Sequence, residues 1–408
     1  MPVATVALGE RKIIVGTLHF EVDGRRQFSA FTYDPAWLEN DAAFALCPAL
    51  PLQTGASYAS RREDTRDALA GCFADASPDS WGRGLMTRAL GGGLTEFDYL
   101  ARSDDTTRQG ALRFLDENGE PISGIDPEVP RRVDIEALRE ISARYERDPV
   151  GAEEAARILA GAAGSLGGAR PKANVTDGET LWIAKFTSAL DTKPVERVEV
   201  GTLTLARLAG IRAAEAELAL PTSERPVALI KRFDRRAGGR VPYISARTAL
   251  QASGSEPGYY SDIADAIRMI SHDAQRDLTE LWKRIIFTIL VGNTDDHLKN
   301  HGFLYVKDGL WRLSPAFDIN PQPQRHRHME TGISPLSGFD PSIAAAVEQS
   351  PLFGIEETQA RRLASDMALV IQSQWKQCLR QQGLRGSALS AYAPAFDHAE
   401  TEIALSMT

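Results

Sequence analysis

Residues 293–300 read Asn293-Thr294-Asp295-Asp296-His297-Leu298-Lys299-Asn300, and this stretch decides the fold. Asp295 and Asn300 have the Asp-x4-Asn spacing of a protein-kinase catalytic loop. Asp318 follows eighteen residues after Asn300, where a kinase places its second metal ligand. Between them, residues 302–306 and 310–313 are predicted strands, and Lys307-Asp308-Gly309 supplies the hairpin turn. A loop, a hairpin and a metal-binding aspartate are typical of a phosphoryl-transfer site.

The chemistry of phosphoryl transfer explains why these residue types matter. Transfer of a γ-phosphoryl group depends mainly on positioning and on neutralising charge. One carboxylate must orient the acceptor hydroxyl and take its proton, and we assign that role to Asp295. Mg²⁺ prefers carboxylate and amide oxygens, so Asn300 and Asp318 are the expected metal ligands. Each residue alone would indicate only a turn, but the joint spacing with apolar strands between favours the phosphoryl-transfer site.

Composition and charge bound the class of protein. The chain has 408 residues, 43% of them hydrophobic and 25% charged, which is ordinary for a globular protein of two or three domains. Its net charge of −9 argues against a nucleic-acid binder that acts alone. The three cysteines, Cys47, Cys72 and Cys378, have no CxxC spacing, so neither a disulfide framework nor a zinc site is expected. The start of the chain lacks a signal-peptide pattern and no apolar run spans a bilayer, so we expect a soluble, cytoplasmic protein without membrane contact.

The chain is predicted to have three parts. Residues 1–115 form a small β-rich N-terminal subdomain, in which two strands flank the hairpin signal Asp23-Gly24 and a polar, helical stretch follows Leu52. Residues 132–235 form the nucleotide-binding part, and residues 236–408 form a mainly helical catalytic lobe. The boundary between the first two parts falls in the Gly- and Pro-rich residues 116–131.

Hydrophobic periodicity predicts the elements near the site. A helix begins at Asp134, and strands cover residues 181–186 and 227–234 with a helix at 198–209 between them. A further helix at 281–291 would deliver the catalytic loop from a rigid base. Its apolar residues have the spacing of a buried helix face: Trp282, Ile285, Ile286, Ile289 and Leu290.

A glycine-rich stretch precedes the first of these strands. Gly164, Gly167 and Gly168 surround Ser165, and Lys172 follows. Glycines let backbone N–H groups approach phosphate oxygens closely. The pattern is neither a Walker A motif nor GxGxxG, so a plain surface loop is the alternative.

A lysine and a glutamate extend this nucleotide side. Lys185 is an isolated cation in an apolar strand, as expected of a lysine that grips the α and β phosphates, although an edge-strand lysine is the alternative. Glu199 on the next helix is the possible ion-pair partner of Lys185. Glu196 is the alternative partner, and a solvated glutamate without this role is the other alternative. Residues 229–233 would form the hinge that presents backbone groups to adenine, unless they form only a strand.

Together these residues resemble the HipA family of serine/threonine kinases, the toxins of certain bacterial toxin–antitoxin pairs. The resemblance covers most of the chain and implies an α/β (α+β), protein-kinase-like fold of two lobes with a small β-rich N-terminal subdomain. Its motifs occur in the family's order: Phe31 to Leu38 with Leu50-Pro51-Leu52, Pro78 to Gly82, Ser165 to Lys172, Arg232 to Arg235, Thr294 to Asn300, and Pro315 to Ile319.

The resemblance implies a role for each matching residue. Asp295 would be catalytic, and Asn300 and Asp318 would bind Mg²⁺. The ATP-binding set would be Gly167, Gly168, Ala169, Arg170, Pro171, Lys172, Lys185, Lys231, Arg232, Phe233, His297 and Asp318, with residues 231–233 at the adenine and His297 near the nucleotide. Ser165 matches the loop serine that such kinases autophosphorylate. Two positions depart from the family: residues 243–250 stand where many relatives carry a His-x-Glu-Asp-type segment, and Lys231 stands where some relatives have an acidic residue. These departures bear on substrate choice and nucleotide detail more than on catalysis.

The resemblance also implies partners. A HipA-like kinase would phosphorylate a component of translation, for example an aminoacyl-tRNA synthetase, using ATP and Mg²⁺. A helix-turn-helix antitoxin of HipB type would neutralise it, and DNA would be contacted only through that complex. Two rival functions stay open at this point: a small-molecule or lipid kinase of the same fold, and an inactive co-repressor bound to the antitoxin.

Overall fold

The computed structural model describes residues 2–61, 68–123, 129–148, 153–163, 170–189, 191–236, 239–253, 258–324 and 327–407. Up to residue 163 the elements are β1 (Val3–Leu8), β2 (Ile13–Asp23), β3 (Arg26–Tyr33), α1 (Pro35–Leu38), β4 (Ala56–Arg61), α2 (Gly71–Asp75), α3 (Ser80–Leu90), α4 (Glu96–Ala101), β5 (Leu112–Leu115), α5 (Ile135–Arg147) and α6 (Glu153–Ala163). Then follow β6 (Lys172–Asp177), β7 (Thr180–Lys185), α7 (Val195–Leu208), β8 (Ala216–Ala219), β9 (Val227–Lys231), β10 (Arg235–Arg236), β11 (Gly239–Arg240), β12 (Tyr243–Ser245), α8 (Ala246–Ala249) and β13 (Gly258–Tyr259). The last elements are α9 (Tyr260–Ile270), α10 (Ala274–Val291), β14 (Gly302–Lys307), β15 (Leu310–Leu313), β16 (Thr331–Gly332), α11 (Ile343–Glu348), α12 (Glu357–Gln381), α13 (Gly386–Ser390), α14 (Ala393–Phe396) and α15 (Ala399–Leu405), and short 3-10 helices cover Arg132–Asp134, Leu298–Asn300 and Ser350–Phe353.

The chain divides into two compact units. The first contains residues 1–190, 231–256 and 303–311, and the second contains residues 191–230, 257–302 and 312–408. The predicted subdivision at residues 115, 132 and 235 stays a prediction. Within the described residues, none of the helices combines the length and the apolar composition needed to cross a bilayer.

The first unit begins with an antiparallel sheet of five strands in the order β4-β3-β2-β1-β5. Alternate residues of β2, such as Leu18 and Phe20, are fully buried because successive side chains of a strand point to opposite faces. Helices α3 and α6 pack on each other through a buried cluster that includes Leu85, Met86 and Leu159. Strands β6 and β7 form an antiparallel pair that follows α6 along the chain.

The second unit is mainly helical. Helix α10 lies at its centre and contacts α9, α11, α12, α14 and α15. Trp282 of α10 is fully buried, and its indole N–H donates to the carbonyl of Ala346 at 2.8 Å. Trp375 of α12 stacks on Phe396 with ring centroids 4.6 Å apart. Strands β8 and β9 pair antiparallel in the same unit.

Most predicted elements near the site are confirmed. The predicted helix at 281–291 lies within α10, and its five apolar residues are at most 1% exposed. The predicted hairpin is formed by β14 and β15, with Asp308 and Gly309 in the left-handed region at φ 53° and 75°. Such a pair suits a two-residue hairpin turn that matches the twist of its strands. The hairpin at Asp23-Gly24 also forms, between β2 and β3.

Two predictions of secondary structure are wrong. The stretch after Leu52 was expected to be helical, but residues 56–61 form β4, because pairing with β3 extends the sheet. The strand expected at 227–234 ends at Lys231. Beyond it, the side chains of Arg232 and Asp234 are buried in an ion pair, so the chain turns away from the strand there.

Candidate active site

The catalytic-loop stretch follows directly from the end of α10. Gly292 ends this helix in the left-handed conformation, at φ 62°, and its N–H bonds to carbonyls in the last turn. Asn293 is buried, and its side-chain oxygen accepts a hydrogen bond from the main-chain N–H of Asn320 at 3.1 Å. The rigid helix end and this bond fix the start of the loop relative to the segment that carries Asp318.

Asp296 anchors the loop from inside the second unit. Its carboxylate is 6% exposed and accepts hydrogen bonds from Tyr260, from His301 at 3.1 Å and from Thr288 at 3.5 Å. Its main-chain oxygen accepts from Thr331 at 2.6 Å. Burial acts to raise the pKa of Asp296, but the charge of His301 and the bonds from His301 and Tyr260 outweigh it and lower that pKa. Asp296 is therefore an ionised internal anchor that faces away from solvent.

Asp295, the predicted catalytic residue, is exposed beside this anchor. The side-chain amide nitrogen of Asn300 donates to the main-chain oxygen of Asp295 at 3.0 Å, closing the loop on itself. The bond uses the amide nitrogen of Asn300, and the other arm of the planar amide is its side-chain oxygen. This is the atom that a Mg²⁺ ion would use.

Asp318 lies in an uncommon backbone conformation. Its φ of 56° falls in the left-handed region, which non-glycine residues rarely adopt and which is often found at functional sites. Its carboxylate accepts a hydrogen bond from the side-chain amide of Asn320 at 2.9 Å. Upstream, the main-chain N–H and C=O of Ala316 bond to Arg212 and Ala214, both at 2.8 Å. These bonds hold the short segment that positions Asp318.

The electrostatics of Asp295 show which charges surround it. Partial burial of the carboxyl raises the pKa of Asp295, and the negative charges of Asp318, Glu330 and Asp296 act in the same direction, while His297 opposes them. The negative charges of Asp295 and Asp318 therefore repel each other. A divalent cation would relieve this repulsion.

A cation site here would rely on few protein ligands. Among the described residues, no group of three or more His, Cys, Asp and Glu side chains is arranged to hold a metal ion. Mg²⁺ in phosphoryl transfer is usually bound through one or two carboxylates together with substrate phosphates and water. One carboxylate at Asp318 and one amide at Asn300 fit that kind of site.

In the first unit, two of the predicted phosphate-binding lysines lie side by side. Lys172 of β6 and Lys185 of β7 are direct cross-strand partners. Like charges directly opposite each other destabilise a sheet unless counter-charges lie near them. Lys172 is 3% exposed, and its ammonium lies 3.6 Å from the carboxylate of Asp79. Of its predicted neighbours, Arg170 is half-buried and Pro171 is buried.

The predicted hinge lies next to a buried ionic group. Lys231 ends β9, and Phe233 packs against a small cluster that includes Tyr243. The guanidinium of Arg232 is buried and bonds to Asp234 and to the main-chain oxygen of Thr107. The side chain of Arg232 is therefore committed to this network. The adenine contact of residues 231–233 stays a prediction that would involve the main chain at Arg232.

The roles of several other predicted residues stay predictions. Ser165, Gly167, Gly168 and Ala169 lie outside the described residues. Glu199 is buried on α7 in the second unit, whereas Lys185 belongs to the first, and the predicted pair stays a prediction. His297 is half-buried directly before the 3-10 helix that ends at Asn300.

Sequence reasoning missed the anchors of the loop. Tyr260 and His301, which bond to Asp296, had no role assigned, and neither did Asn320. The available signal was the second carboxylate directly after Asp295, since a catalytic loop needs one carboxylate toward solvent and a means of attachment to the core. Tyr260 lies 36 residues upstream of Asp296 and carries no local signal for this contact.

Comparisons with family models and with known proteins identify the relatives of this chain. Residues 164–375 match the HipA-like C-terminal domain, and residues 5–114 match the HipA N-terminal domain. The chain is 28% identical over 316 residues to "Putative kinase Y4mE" of Sinorhizobium fredii, covering 71% of each chain. It is 31% identical over 154 residues to "Putative kinase Y4dM" of the same organism, covering 34% of this chain and 36% of that protein.

A solved structure shows the same fold. The HipA toxin of Shewanella oneidensis MR-1, in a complex with HipB and operator DNA, superposes with a TM-score of 0.65 at 17% identity, covering 99% of this chain and 96% of that chain. The α/β, kinase-like fold class predicted from the sequence is thereby confirmed. The domain matches span more than half of the chain, and the chain belongs to the HipA family.

Proposed function

We propose that this chain is an ATP- and Mg²⁺-dependent protein serine/threonine kinase of HipA type. The observation that carries the proposal is the closed loop from Asp295 to Asn300, whose start is bonded through Asn293 to the segment that carries Asp318. Membership of the HipA family and the kinase names of its relatives support the same function. Four polar residues with these separate roles would be of little use to a protein that served only as a scaffold: Asp295, Asn300, Asp318 and Lys185.

Each residue has a defined task in this proposal. Asp295 accepts a hydrogen bond from the acceptor hydroxyl and takes its proton as the new oxygen–phosphorus bond forms and the bond between the β and γ phosphates breaks. Asn300 and Asp318 would hold Mg²⁺, which would neutralise charge on the phosphates. Lys185, which is half-buried on β7 opposite Lys172, contributes positive charge for the remaining phosphate oxygens. ADP leaves as the second product.

Regulation and partners are proposed by analogy with the family. Phosphorylation of Ser165 would place a dianion in the glycine-rich loop and repel ATP, which would switch the kinase off. The HipA of Shewanella oneidensis assembles with HipB and operator DNA, and we propose a helix-turn-helix antitoxin of that type as the partner here. A translation component, for example an aminoacyl-tRNA synthetase, is the proposed substrate, in the cytoplasm.

Mass spectrometry after incubation with ATP and Mg²⁺ tests the proposal. The wild type should gain one phosphate on the peptide that contains Ser165, whereas Asp295→Asn and Ser165→Ala should not. A phosphate on Ser165 in Asp295→Asn would refute the role of Asp295. Binding of ATP without any phosphate on the wild type would favour a small-molecule or lipid kinase, or a co-repressor. An unphosphorylated wild type that binds no ATP would exclude a kinase.

A further inference from the structure

A buried ionic group in the first unit joins two segments that are distant in the sequence. The guanidinium of Arg232 donates to both carboxylate oxygens of Asp234, at 2.9 and 2.5 Å, and to the main-chain oxygen of Thr107 at 2.6 Å. Asp234 also accepts from the main-chain N–H of Gly110 at 2.8 Å. Arg232 and Asp234 are 6% and 3% exposed. This group therefore attaches the end of β9 to the loop that precedes β5.

Asn174 extends the ionic group to β6 and α6. Its side-chain oxygen accepts from Arg232 at 2.8 Å, and its side-chain nitrogen donates to the main-chain oxygen of Ala162 at 3.0 Å. Asn174 is fully buried, and both ends of its amide are used. Ala162 lies in the last turn of α6. Asn174 thus fixes the end of this helix relative to β6 and to Arg232.

The position of Asn174 in its strand connects it to the lysine pair. Asn174 and Lys172 are two residues apart in β6, so their side chains lie on the same face of the strand. Lys172 is opposite Lys185 in the register, and its main-chain oxygen accepts from the indole of Trp81 at 3.1 Å. A shift of β6 at Asn174 would therefore move Lys172.

The ionic group is built to be rigid. A buried charge is costly unless it is paired and hydrogen-bonded, and Arg232 has both kinds of partner. Burial acts to raise the pKa of Asp234, but the charges of Arg232 and Arg235 outweigh it and hold that pKa well below its usual range. The arginine fork and the amide have fixed directions, so each bond restricts orientation as well as distance.

We infer that Asn174 and Arg232 are positioning residues for the nucleotide. Their hydrogen bond fixes Lys172 on β6 relative to residues 231–233 at the end of β9, in the arrangement that binds ATP. The inference rests on the proposed function. In this inference Arg232 acts on the nucleotide site through Asn174 and Asp234, and its guanidinium does not contact ATP.

Variants of the two residues test the inference on the full chain. ATP binding is measured by calorimetry with Mg²⁺, and phosphoryl transfer is measured at saturating ATP. Asn174→Leu keeps the size of the side chain but cannot accept or donate, while Arg232 keeps Asp234 and Thr107 as partners. Arg232→Lys retains the positive charge and loses the planar fork. Tyr33→Phe is the matched control, because it removes a buried hydroxyl that bonds to Leu50 and Leu46 in the same unit.

The expected results separate positioning from simple loss of stability. Asn174→Leu should raise the Kd for ATP about tenfold, equivalent to about 1.4 kcal/mol, with kcat at saturating ATP unchanged. Arg232→Lys should also raise the Kd for ATP, and adding Asn174→Leu to it should give no further rise, because the bond between the two residues is already broken. Tyr33→Phe should lower the melting temperature and leave the Kd unchanged.

Other outcomes would overturn the inference. A wild-type Kd in Asn174→Leu, or multiplying effects in the double variant, would contradict it while leaving the proposed function intact. If Asn174→Leu fails to fold, Arg232→Lys alone decides, and an unchanged Kd there has the same meaning. A wild type that binds no ATP would overturn the inference and the proposed function together.

Discussion

The hydroxyl of Tyr260 offers a direct test of how the catalytic loop is held. Tyr260 is fully buried, and its hydroxyl donates to the ionised carboxylate of Asp296, next to Asp295. Tyr260→Phe removes this hydroxyl and little else. A hydrogen bond to a charged group contributes about 1.5–3 kcal/mol. His301 and Thr288 still bond to Asp296, so no buried charge is left unpaired, and we expect the free energy of unfolding to fall by about 2 kcal/mol.

The same change should impair catalysis. A loosened Asp296 lets the neighbouring Asp295 move, and a displacement of about 1 Å at a reacting group can cost about 100-fold in rate. We expect kcat to fall by about 10- to 100-fold, with a small effect on ATP affinity. Steady-state phosphoryl transfer and calorimetric unfolding measure the two effects. Tyr33→Phe, which also removes a buried hydroxyl, should lose stability but keep its kcat. Equal kcat values for Tyr260→Phe and the wild type would refute the anchoring role of Asp296.

Two further predictions concern the metal and the pH. Asp318→Asn should fold, because asparagine tolerates the left-handed φ of 56°. The Mg²⁺ concentration that gives half-maximal phosphoryl transfer should rise about tenfold or more. An unchanged Mg²⁺ titration would contradict the role of Asp318 as a metal ligand. Burial lowers the pKa of His398 to about 4, whereas a histidine in the unfolded chain has a pKa of about 6.5. Between these pH values only the unfolded chain binds the proton, so the free energy of unfolding should fall as the pH falls from about 6.5 to about 4. In thermal unfolding over that range, His398→Gln should show a weaker pH dependence, and an identical profile would exclude this histidine as the cause.

The parts of the fold that follow from local patterns were predictable. Helix α10 is specified by apolar residues at helical spacing, and the turn at Asp308 and Gly309 is specified by two residues that accept a positive φ. The loop that follows α10 was recognisable because its chemistry needs Asp295 and Asn300 at a fixed spacing. Each of these signals lies within a few residues of the feature that it determines.

The parts that depend on distant contacts were not predictable. The residues of β4 have few large apolar side chains, and their strand conformation comes from pairing with β3. The sequence predicts that Arg232 is part of a strand and hinge. In the structure its guanidinium bonds to Thr107, which is 125 residues away in the sequence. The bond between Tyr260 and Asp296 likewise joins two elements that only the folded chain brings together.

Transfer of the γ-phosphoryl group by Asp295→Asn, measured beside ATP binding, tests the central claim most directly. The matched control is Asp308→Asn, which removes the same charge from the exposed hairpin turn, where asparagine tolerates the φ of 53°. We expect the wild type and Asp308→Asn to transfer phosphate from radiolabelled ATP at equal rates. Asp295→Asn should bind ATP with similar affinity and transfer none. Transfer by Asp295→Asn at the wild-type rate would contradict the assignment of this loop as the catalytic site.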